Sequence, residues 1–132
     1  MNYNLLEYKS HGDDDGMLVA LEENKEIPFA IKRVFHIYNT RHDVVRGKHA
    51  HKTLEEVLIC VNGSCKVLLD DGKNKEIVLL DSPKKGLYIP PNLWREMFEF
   101  DTNTVLVILA SEKYEINDYI KDYNEYLELN NN

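Results

Sequence analysis

The sequence is short of cysteine and proline, and it lacks a long apolar run. Its 132 residues include two cysteines and four prolines, which excludes a disulfide-rich scaffold and a proline-rich linker. The longest apolar run, residues 105–110, has the length of a buried strand and not the roughly 18 residues of a membrane helix. The amino terminus lacks the basic and apolar stretches of a signal peptide. We therefore expect one globular domain, residues 1–132, located in the cytoplasm.

Positive charge is also scarce. Sixteen Lys and Arg residues stand against 23 Asp and Glu residues, so the net charge is −7. An acidic chain repels a phosphate polyanion over a broad surface, so nucleic acid is not an expected partner. A membrane is not expected either, because no apolar run is long enough to cross one. A small pocket with two or three local cations can still bind one phosphate ester or diphosphate.

The two cysteines enclose an Asn-Gly turn signal. Asn62-Gly63 lies between two β-rich runs and predicts a two-residue type I′ hairpin in which Cys60 faces Cys65. In that register the two cysteines form either a strained cross-strand disulfide or two reduced structural thiols. The expected cytoplasmic location favours the reduced thiols. The spacing is not that of a zinc site.

Short β-rich runs separated by turn signals recur along most of the chain. This spacing is typical of an all-β sandwich or barrel. An Asp71-Gly72 turn separates two of the runs. The predicted strands are residues 18–21, 31–38, 56–61, 66–69, 76–80, 86–90 and 105–110.

The carboxy-terminal tail has a different period. Its apolar and aromatic residues fall at helical spacing, which predicts one amphipathic helix packed on the β body. Asn117 or Asp118 is available as its N-cap, and residues 130–132 are expected to fray. The residues at helical spacing are Ile116, Tyr119, Ile120, Tyr123 and Leu127.

The most informative stretch contains two histidines. In an extended strand His49 and His51 project to the same face, and Glu55 shares their parity if the strand continues. Residues 46–55, followed by Gly63, resemble the first cupin motif. Residues 86–95 partly resemble the second, but Arg95 stands where a histidine ligand would be.

That arginine argues against a metal site, because a guanidinium is always protonated and cannot be a ligand. Two histidines buried on one face without a purpose are costly, although a purely structural pair is the simplest alternative. Without a metal, they are free bases suited to moving a proton at neutral pH. Arg46 and Lys48 add positive charge suited to a diphosphate or a developing enolate.

The resemblance to one family becomes close when longer stretches are considered. Residues 31–38, 46–52 and 54–58 look like the WxcM-like cupins, the dTDP-4-keto-6-deoxyglucose 3,4-ketoisomerases. The likeness covers roughly residues 16–126. Further matches lie at residues 61–65, 69–72, 81–83, 86–88, 109–111 and 118–120.

One part of this pattern is shared with a second family, and this sequence departs from the pattern at two places. Arg-Gly-x-His also occurs in the dTDP-sugar 3,5-epimerases, whereas His49-Ala50-His51 and the Asn-Gly-Ser-Cys run favour the ketoisomerases. Asp14-Asp15-Gly16 lacks an arginine often found just before that glycine, which bears on nucleotide contacts or product stereochemistry. Arg95 replaces a histidine often found after the tryptophan.

The resemblance implies a fold, an activity and an assembly. The fold is an all-β cupin, an RmlC-like jelly roll or β-sandwich, with a short C-terminal helix. The activity is isomerisation of a dTDP-linked 4-keto-6-deoxy sugar to its 3-keto isomer through an enediolate, with no cofactor and no metal. The expected setting is bacterial deoxyaminosugar synthesis for cell-surface glycans such as lipopolysaccharide. The expected assembly is a homodimer with exchanged amino-terminal strands.

Eight residues are candidates for this chemistry. The catalytic candidates are His49, His51 and Tyr38. Substrate binding is assigned to Arg33, Arg46, Lys48, Trp94 and Arg95. A 3,5-epimerase and a non-catalytic nucleotide-sugar-binding module remain as alternatives, and the C4 configuration of the product, galacto or gluco, stays open.

Overall fold

The computed structural model describes residues 1–131, so Asn132, the last residue of the predicted domain, lies outside the described part. Strands dominate the fold. Residues 116–118 form a short 3₁₀ helix, and one α-helix, α1 (Tyr123–Asn130), follows it. The strands within residues 1–131 are β1 (Asn4–Glu7), β2 (His11–Asp13), β3 (Gly16–Leu18), β4 (Arg33–Tyr38), β5 (Arg46–His51), β6 (Glu56–Asn62), β7 (Cys65–Asp70), β8 (Lys75–Leu80), β9 (Lys85–Ile89), β10 (Trp94–Phe98), β11 (Val105–Ala110) and β12 (Tyr119–Ile120).

The strands form two five-stranded antiparallel sheets and one separate hairpin. The first sheet has the order β1-β9-β6-β11-β4, the second has the order β12-β5-β10-β7-β8, and β2 pairs only with β3. Apolar side chains from both sheets, such as Leu58, Leu69 and Ile108, form the core between them. The predicted all-β fold with a short C-terminal helix is confirmed.

The central strands of the first sheet are apolar on both faces. Val57 and Ile59 on the outer face pack against Ile27 and Phe29, which come from the segment between β3 and β4. The strand predicted at residues 18–21 is therefore wrong in large part: β3 ends at Leu18. The residues after it are apolar because they cover the outer face of a sheet, and not because they form a strand.

The other six predicted strands are confirmed to within two residues at either end, but five strands were missed: β1, β2, β5, β10 and β12. The run of β5 was treated only as a possible extended segment, and β10 was not predicted. The Asp71-Gly72 turn is confirmed: it connects β7 to β8, and the Asp71 carboxylate accepts hydrogen bonds from the backbone N–H of Lys73 and Asn74.

The predicted Asn62-Gly63 hairpin is wrong. The turn carries the chain from the first sheet to the second, so β6 and β7 are not ladder partners. Only Gly63 of the two turn residues has a positive φ, +80°, whereas a type I′ turn needs two. A Cβ at Gly63 would lie 2.4 Å from Thr104 Oγ1. Both cysteines that flank the turn are buried free thiols.

The C-terminal helix is shorter than predicted. Asp122, and not Asn117 or Asp118, is its N-cap, because the Asp122 carboxylate accepts a hydrogen bond from Glu125 N at 3.0 Å. The preceding residues instead form the 3₁₀ turn and β12, which extends the second sheet beside β5. Asn130, which was expected to fray, is the last residue of the helix, and its side-chain amide donates to Tyr126 O at 2.8 Å. The same expectation for Asn132 falls outside the described residues.

Among the described residues, no helix is long and apolar enough to cross a membrane.

Candidate active site

A cavity of about 350 Å³ lies between the two sheets. It is of the size that small-molecule sites usually have. Strands of both sheets and the segment before α1 supply its wall. The lining residues are Arg33, Phe35, Ile37, Arg46, Gly47, His49, Glu56, Leu58, Arg95, Met97, Ile108, Tyr114, Tyr119 and Lys121.

The two motif histidines lie side by side on β5. Their ring centroids are 4.7 Å apart and the rings meet edge to face. His49 lines the cavity, whereas His51 is only 1% exposed and is not among the lining residues. The ring of Tyr119, on the neighbouring strand β12, lies 5.0 Å from His49 and 4.4 Å from His51. The strand period of two therefore brings both imidazoles together, as the sequence predicted.

Hydrogen bonds at Nδ1 orient both rings. Nδ1 of His49 lies 3.0 Å from Gly47 O, and Nδ1 of His51 lies 3.2 Å from the Asp118 carboxylate. A carbonyl and a carboxylate can only accept, so each Nδ1 carries the proton and donates it. In the neutral rings, both Nε2 atoms are consequently free to act as bases.

The surroundings keep both imidazoles neutral. Burial and, to a smaller extent, the positive charge of Arg95 together lower the pKa of His49 to about 4. Burial likewise lowers the pKa of His51 to about 3, assisted by Arg95 and His49 and opposed by Asp118. At neutral pH the pair therefore consists of two unprotonated bases.

A buried ion pair forms another part of the wall. Arg95 is 1% exposed and lies directly opposite His49 in the β5–β10 register. Its Nη1 donates to Glu56, while Nε and Nη2 donate to Leu93 O at 3.1 and 2.8 Å. The guanidinium is thus a fixed cation in a site of low dielectric constant.

Glu56 is a site residue that sequence reasoning missed. Strand parity favoured Glu55, but β5 ends at His51 and the following turn changes the parity. Glu55 instead accepts a hydrogen bond from Tyr88 Oη at 2.6 Å, away from the cavity. The spacing of this acidic pair alone gave no signal to choose between them.

Three cationic side chains lie around the more exposed part of the cavity: Arg33, Arg46 and Lys121. The Arg33 guanidinium lies 4.4 Å from the ring centroid of Phe35 and 5.2 Å from that of Tyr114. Lys121, Tyr114 and Tyr119 were missed as site residues; Tyr119 was assigned to the predicted amphipathic helix, and nothing in the sequence singled out the other two.

Besides His51, three predicted site residues are not part of the cavity lining. Tyr38 is 60% exposed and lies on the face of β4 opposite to Arg33. Trp94 alternates with Arg95, so its ring packs 5.1 Å from Tyr123 instead, and its Nε1 donates to Glu96 at 2.9 Å. Lys48 is exposed and is not among the lining residues. Strand alternation is the physical reason for Tyr38 and Trp94, whereas Arg46, which has the same parity as Lys48, does line the cavity.

No group of three or more His, Cys, Asp or Glu side chains within residues 1–131 is arranged to hold a metal ion. At the position opposite His49, where a metal cupin has a ligand, the guanidinium of Arg95 faces the cavity.

Comparisons with known proteins identify the family. The chain is 48% identical over 126 residues, 96% of this chain and 91% of the relative, to a TDP-4-oxo-6-deoxy-alpha-D-glucose-3,4-oxoisomerase from Aneurinibacillus thermoaerophilus. The crystal structure of a 3,4-ketoisomerase from Helicobacter canadensis matches with a TM-score of 0.97 and 48% identity, covering 100% of this chain and 99% of that one.

A third relative was crystallised with a sugar nucleotide. It is a histidine-to-asparagine mutant of the 3,4-ketoisomerase QdtA from Thermoanaerobacterium thermosaccharolyticum, in complex with TDP-4-keto-6-deoxyglucose. It matches with a TM-score of 0.96 and 43% identity, covering 98% of this chain and 94% of that one. The family model for FdtA, described as WxcM-like, C-terminal, matches residues 1–131. The resemblance seen in the sequence is confirmed, and the chain belongs to the FdtA family of WxcM-like isomerases.

Proposed function

We propose that this protein is a 3,4-ketoisomerase that converts TDP-4-keto-6-deoxyglucose to its 3-keto isomer. The observation that carries the proposal is a pair of adjacent neutral imidazoles beside a buried guanidinium, with His49 and Arg95 lining a cavity of about 350 Å³. Two bases and one fixed cation are what a proton transfer through an enediolate requires. The 3,4-ketoisomerase relatives support the choice of reaction and substrate.

The reaction moves two protons and needs no external reductant or oxidant. A base removes the proton on C3, which is acidic because it lies beside the C4 ketone, and the electron pair moves onto O4 to form an enediolate. A proton is then added at C4 while the C3 hydroxyl loses its proton and becomes the ketone. The O4 oxyanion takes up a proton and becomes a hydroxyl, so atoms and electrons balance.

Each group in the deep part of the cavity suits one of these tasks. His49 lines the cavity and is the base that contacts the sugar carbon. His51, whose ring lies 4.7 Å from that of His49, is the second member of the acid/base pair. Arg95 stabilises the enediolate oxyanion, because its charge is fixed and desolvated. Tyr119, and not Tyr38, is the tyrosine beside both imidazoles and takes the role of a hydroxyl contact to the sugar.

The more exposed cations suit the diphosphate. Arg33, Arg46 and Lys121 combine positive charge with accessibility, which favours charge-assisted hydrogen bonds to phosphate oxygens. The acidic remainder of the chain does not prevent this, because electrostatic interactions at the surface are screened within about 10 Å at ordinary salt.

The assembly we propose is a homodimer that buries the outer face of the first sheet. Exposed apolar side chains on and beside that face, including Met17, Leu18, Val34 and Val61, support this assembly. The hairpin of β2 and β3 is exposed along its whole length, and an isolated two-stranded hairpin is marginally stable alone. Exchange of amino-terminal strands would let the partner cover it. Sedimentation as a monomer at micromolar concentration would contradict this assembly.

The setting we propose is the bacterial cytoplasm. Two buried cysteines that remain free thiols suit a reducing compartment. The 3-keto product would pass to an aminotransferase in the synthesis of dTDP-3-amino-3,6-dideoxysugars for cell-surface glycans such as lipopolysaccharide.

Isotope exchange provides the test. The protein is incubated with TDP-4-keto-6-deoxyglucose in deuterated water, the product is trapped with a 3-aminotransferase, and deuterium and the C4 configuration are assigned by proton NMR. Trapped 3-amino product with no deuterium at C5 is expected. Deuterium at C5 would indicate a 3,5-epimerase, and binding without turnover would indicate a non-catalytic module. Either result would overturn the proposal.

A further inference from the structure

Asp118 joins the segment before α1 to the histidine strand. Its carboxylate accepts hydrogen bonds from the backbone N–H of Thr53 at 2.9 Å, the Thr53 hydroxyl at 2.8 Å and the backbone N–H of Leu54 at 3.2 Å. The fourth contact is Nδ1 of His51 at 3.2 Å. The sequence offered this aspartate as a helix cap and as part of the family match at residues 118–120, and neither reading explains why it points at an imidazole.

The other three donors hold the carboxylate in place and in its ionised form. Partial burial alone would raise the pKa of Asp118, but the hydrogen bonds from Thr53 and Leu54 outweigh burial and leave the pKa below its usual value. An ionised carboxylate accepts only, so Nδ1 of His51 must donate.

We propose that Asp118 is a positioning residue that holds His51 in the tautomer with the proton on Nδ1, so that the unprotonated Nε2 serves the proton transfer. This inference rests on the proposed ketoisomerase function for its catalytic meaning. His49 is held in the same tautomer by the main chain through Gly47 O. One base of the pair is thus oriented by its own strand and the other by a residue 67 positions away.

Four side chains face His51, and a test of its tautomer must change the one that binds Nδ1. Asp118 contacts it from the 3₁₀ turn, Tyr119 from β12, His49 from β5 and Arg95 from β10. Asp118 is the one hydrogen-bond acceptor at Nδ1 among the described residues. Removing its negative charge while keeping its shape therefore tests the tautomer directly.

The informative variant is Asp118→Asn. Its amide oxygen can still accept from Thr53, but an NH₂ group facing Nδ1 would donate and drive the ring proton to Nε2. Long-range proton–nitrogen NMR of the ¹⁵N-labelled protein, without substrate, should show the Nδ1–H tautomer at His51 in the parent and the Nε2–H tautomer in the variant. A merely structural role would leave the tautomer unchanged, and that result would overturn the proposal.

Kinetics provide the second measurement. Asp118→Asn should lower kcat by about 10²-fold with a smaller change in KM, since His51 is then present in the wrong form. The double variant with His51→Asn should be no slower than His51→Asn alone, because Asp118 acts through His51. Additive losses would overturn the proposal.

A matched control separates this effect from a loss of stability. Asp70 is also a buried carboxylate, which accepts from the Tyr123 hydroxyl and from Gly72 N at 2.7 Å, away from the cavity. Asp70→Asn should lower the thermal midpoint without changing the His51 tautomer or kcat. If the parent proves unable to isomerise the sugar, the proposed function fails, and the NMR result still decides the role of Asp118.

Discussion

Positively charged side chains have different surroundings, and different expected roles, in the deep and in the exposed part of the cavity. In the deep part, Arg95 is buried, paired with Glu56 and held by a main-chain carbonyl, and it depresses the pKa values of both imidazoles. Around the exposed part, Arg46 and Lys121 face water. A cation in a low-dielectric site acts strongly on developing charge, whereas an exposed cation mainly attracts an anionic ligand. We therefore expect the deep groups to govern kcat and the exposed groups to govern KM.

The largest effect is expected from the histidines. His49→Asn and His51→Asn should each lower kcat by about 10²–10⁴-fold with a much smaller change in KM, because asparagine keeps polarity but cannot carry the proton. Tyr38→Phe, outside the cavity, should stay near the parent in steady-state assays. If both histidine variants retain parental kcat, the acid/base assignment fails and Tyr119 is the next residue to test.

The second effect concerns stability. Glu56→Gln removes the partner of a buried guanidinium, which typically costs about 3–5 kcal/mol. Urea unfolding should show this loss as a lower midpoint. Glu112→Gln breaks an ion pair with Lys32 in which both side chains are about half exposed, and its effect should be much smaller. Equal losses in the two variants would contradict the distinction between buried and exposed charge.

The third effect is in the pH profile. Because the pKa of His49 is lowered from 6.5 to about 4, the acid limb of kcat/KM should lie well below pH 6 and not near the usual histidine value. Its apparent pKa belongs to the coupled imidazole pair. A limb centred near pH 6.5 would show that the deep part of the cavity is more hydrated than the structure indicates.

The same shift has a consequence for stability. The folded chain resists protonation at His49, whereas the unfolded chain does not. The contribution of neutral His49 to the free energy of unfolding is therefore complete above about pH 6.5 and is lost as the pH falls towards about 4. The free energy of unfolding should therefore fall by about 1.4 kcal/mol per pH unit for each such proton. His49→Asn should make the fall shallower, which equilibrium unfolding between pH 7 and 4 would measure.

The smallest effect is expected from the exposed cations. Arg46→Ala should raise KM roughly tenfold, through the loss of a charge-assisted phosphate contact, and leave kcat nearly unchanged. Arg41→Ala is a suitable control, since Arg41 is highly exposed and forms an ion pair with the equally exposed Asp43. A large loss of kcat in Arg46→Ala would place that arginine at the reacting atoms.

Part of this site could be predicted from local sequence alone. The period of two on β5 brought His49 and His51 to one face, and the motif comparison indicated Arg95 beside them. The same rule, applied to Tyr38, would have excluded it, because Tyr38 and Arg33 have opposite parity on β4. Parity is a local property of an extended chain, so it is available without a structure.

The sequence by itself determined the all-β class, the histidine pair and the family, because alternation, turn residues and motifs act over a few neighbouring residues. Only the tertiary structure decided that Asn62-Gly63 crosses between sheets, that Glu56 pairs with Arg95, and that Asp118 contacts His51. The two side-chain contacts join residues that are 39 and 67 positions apart. Such pairings depend on how sheets stack and where irregular segments cross them, and no local pattern encodes that distance.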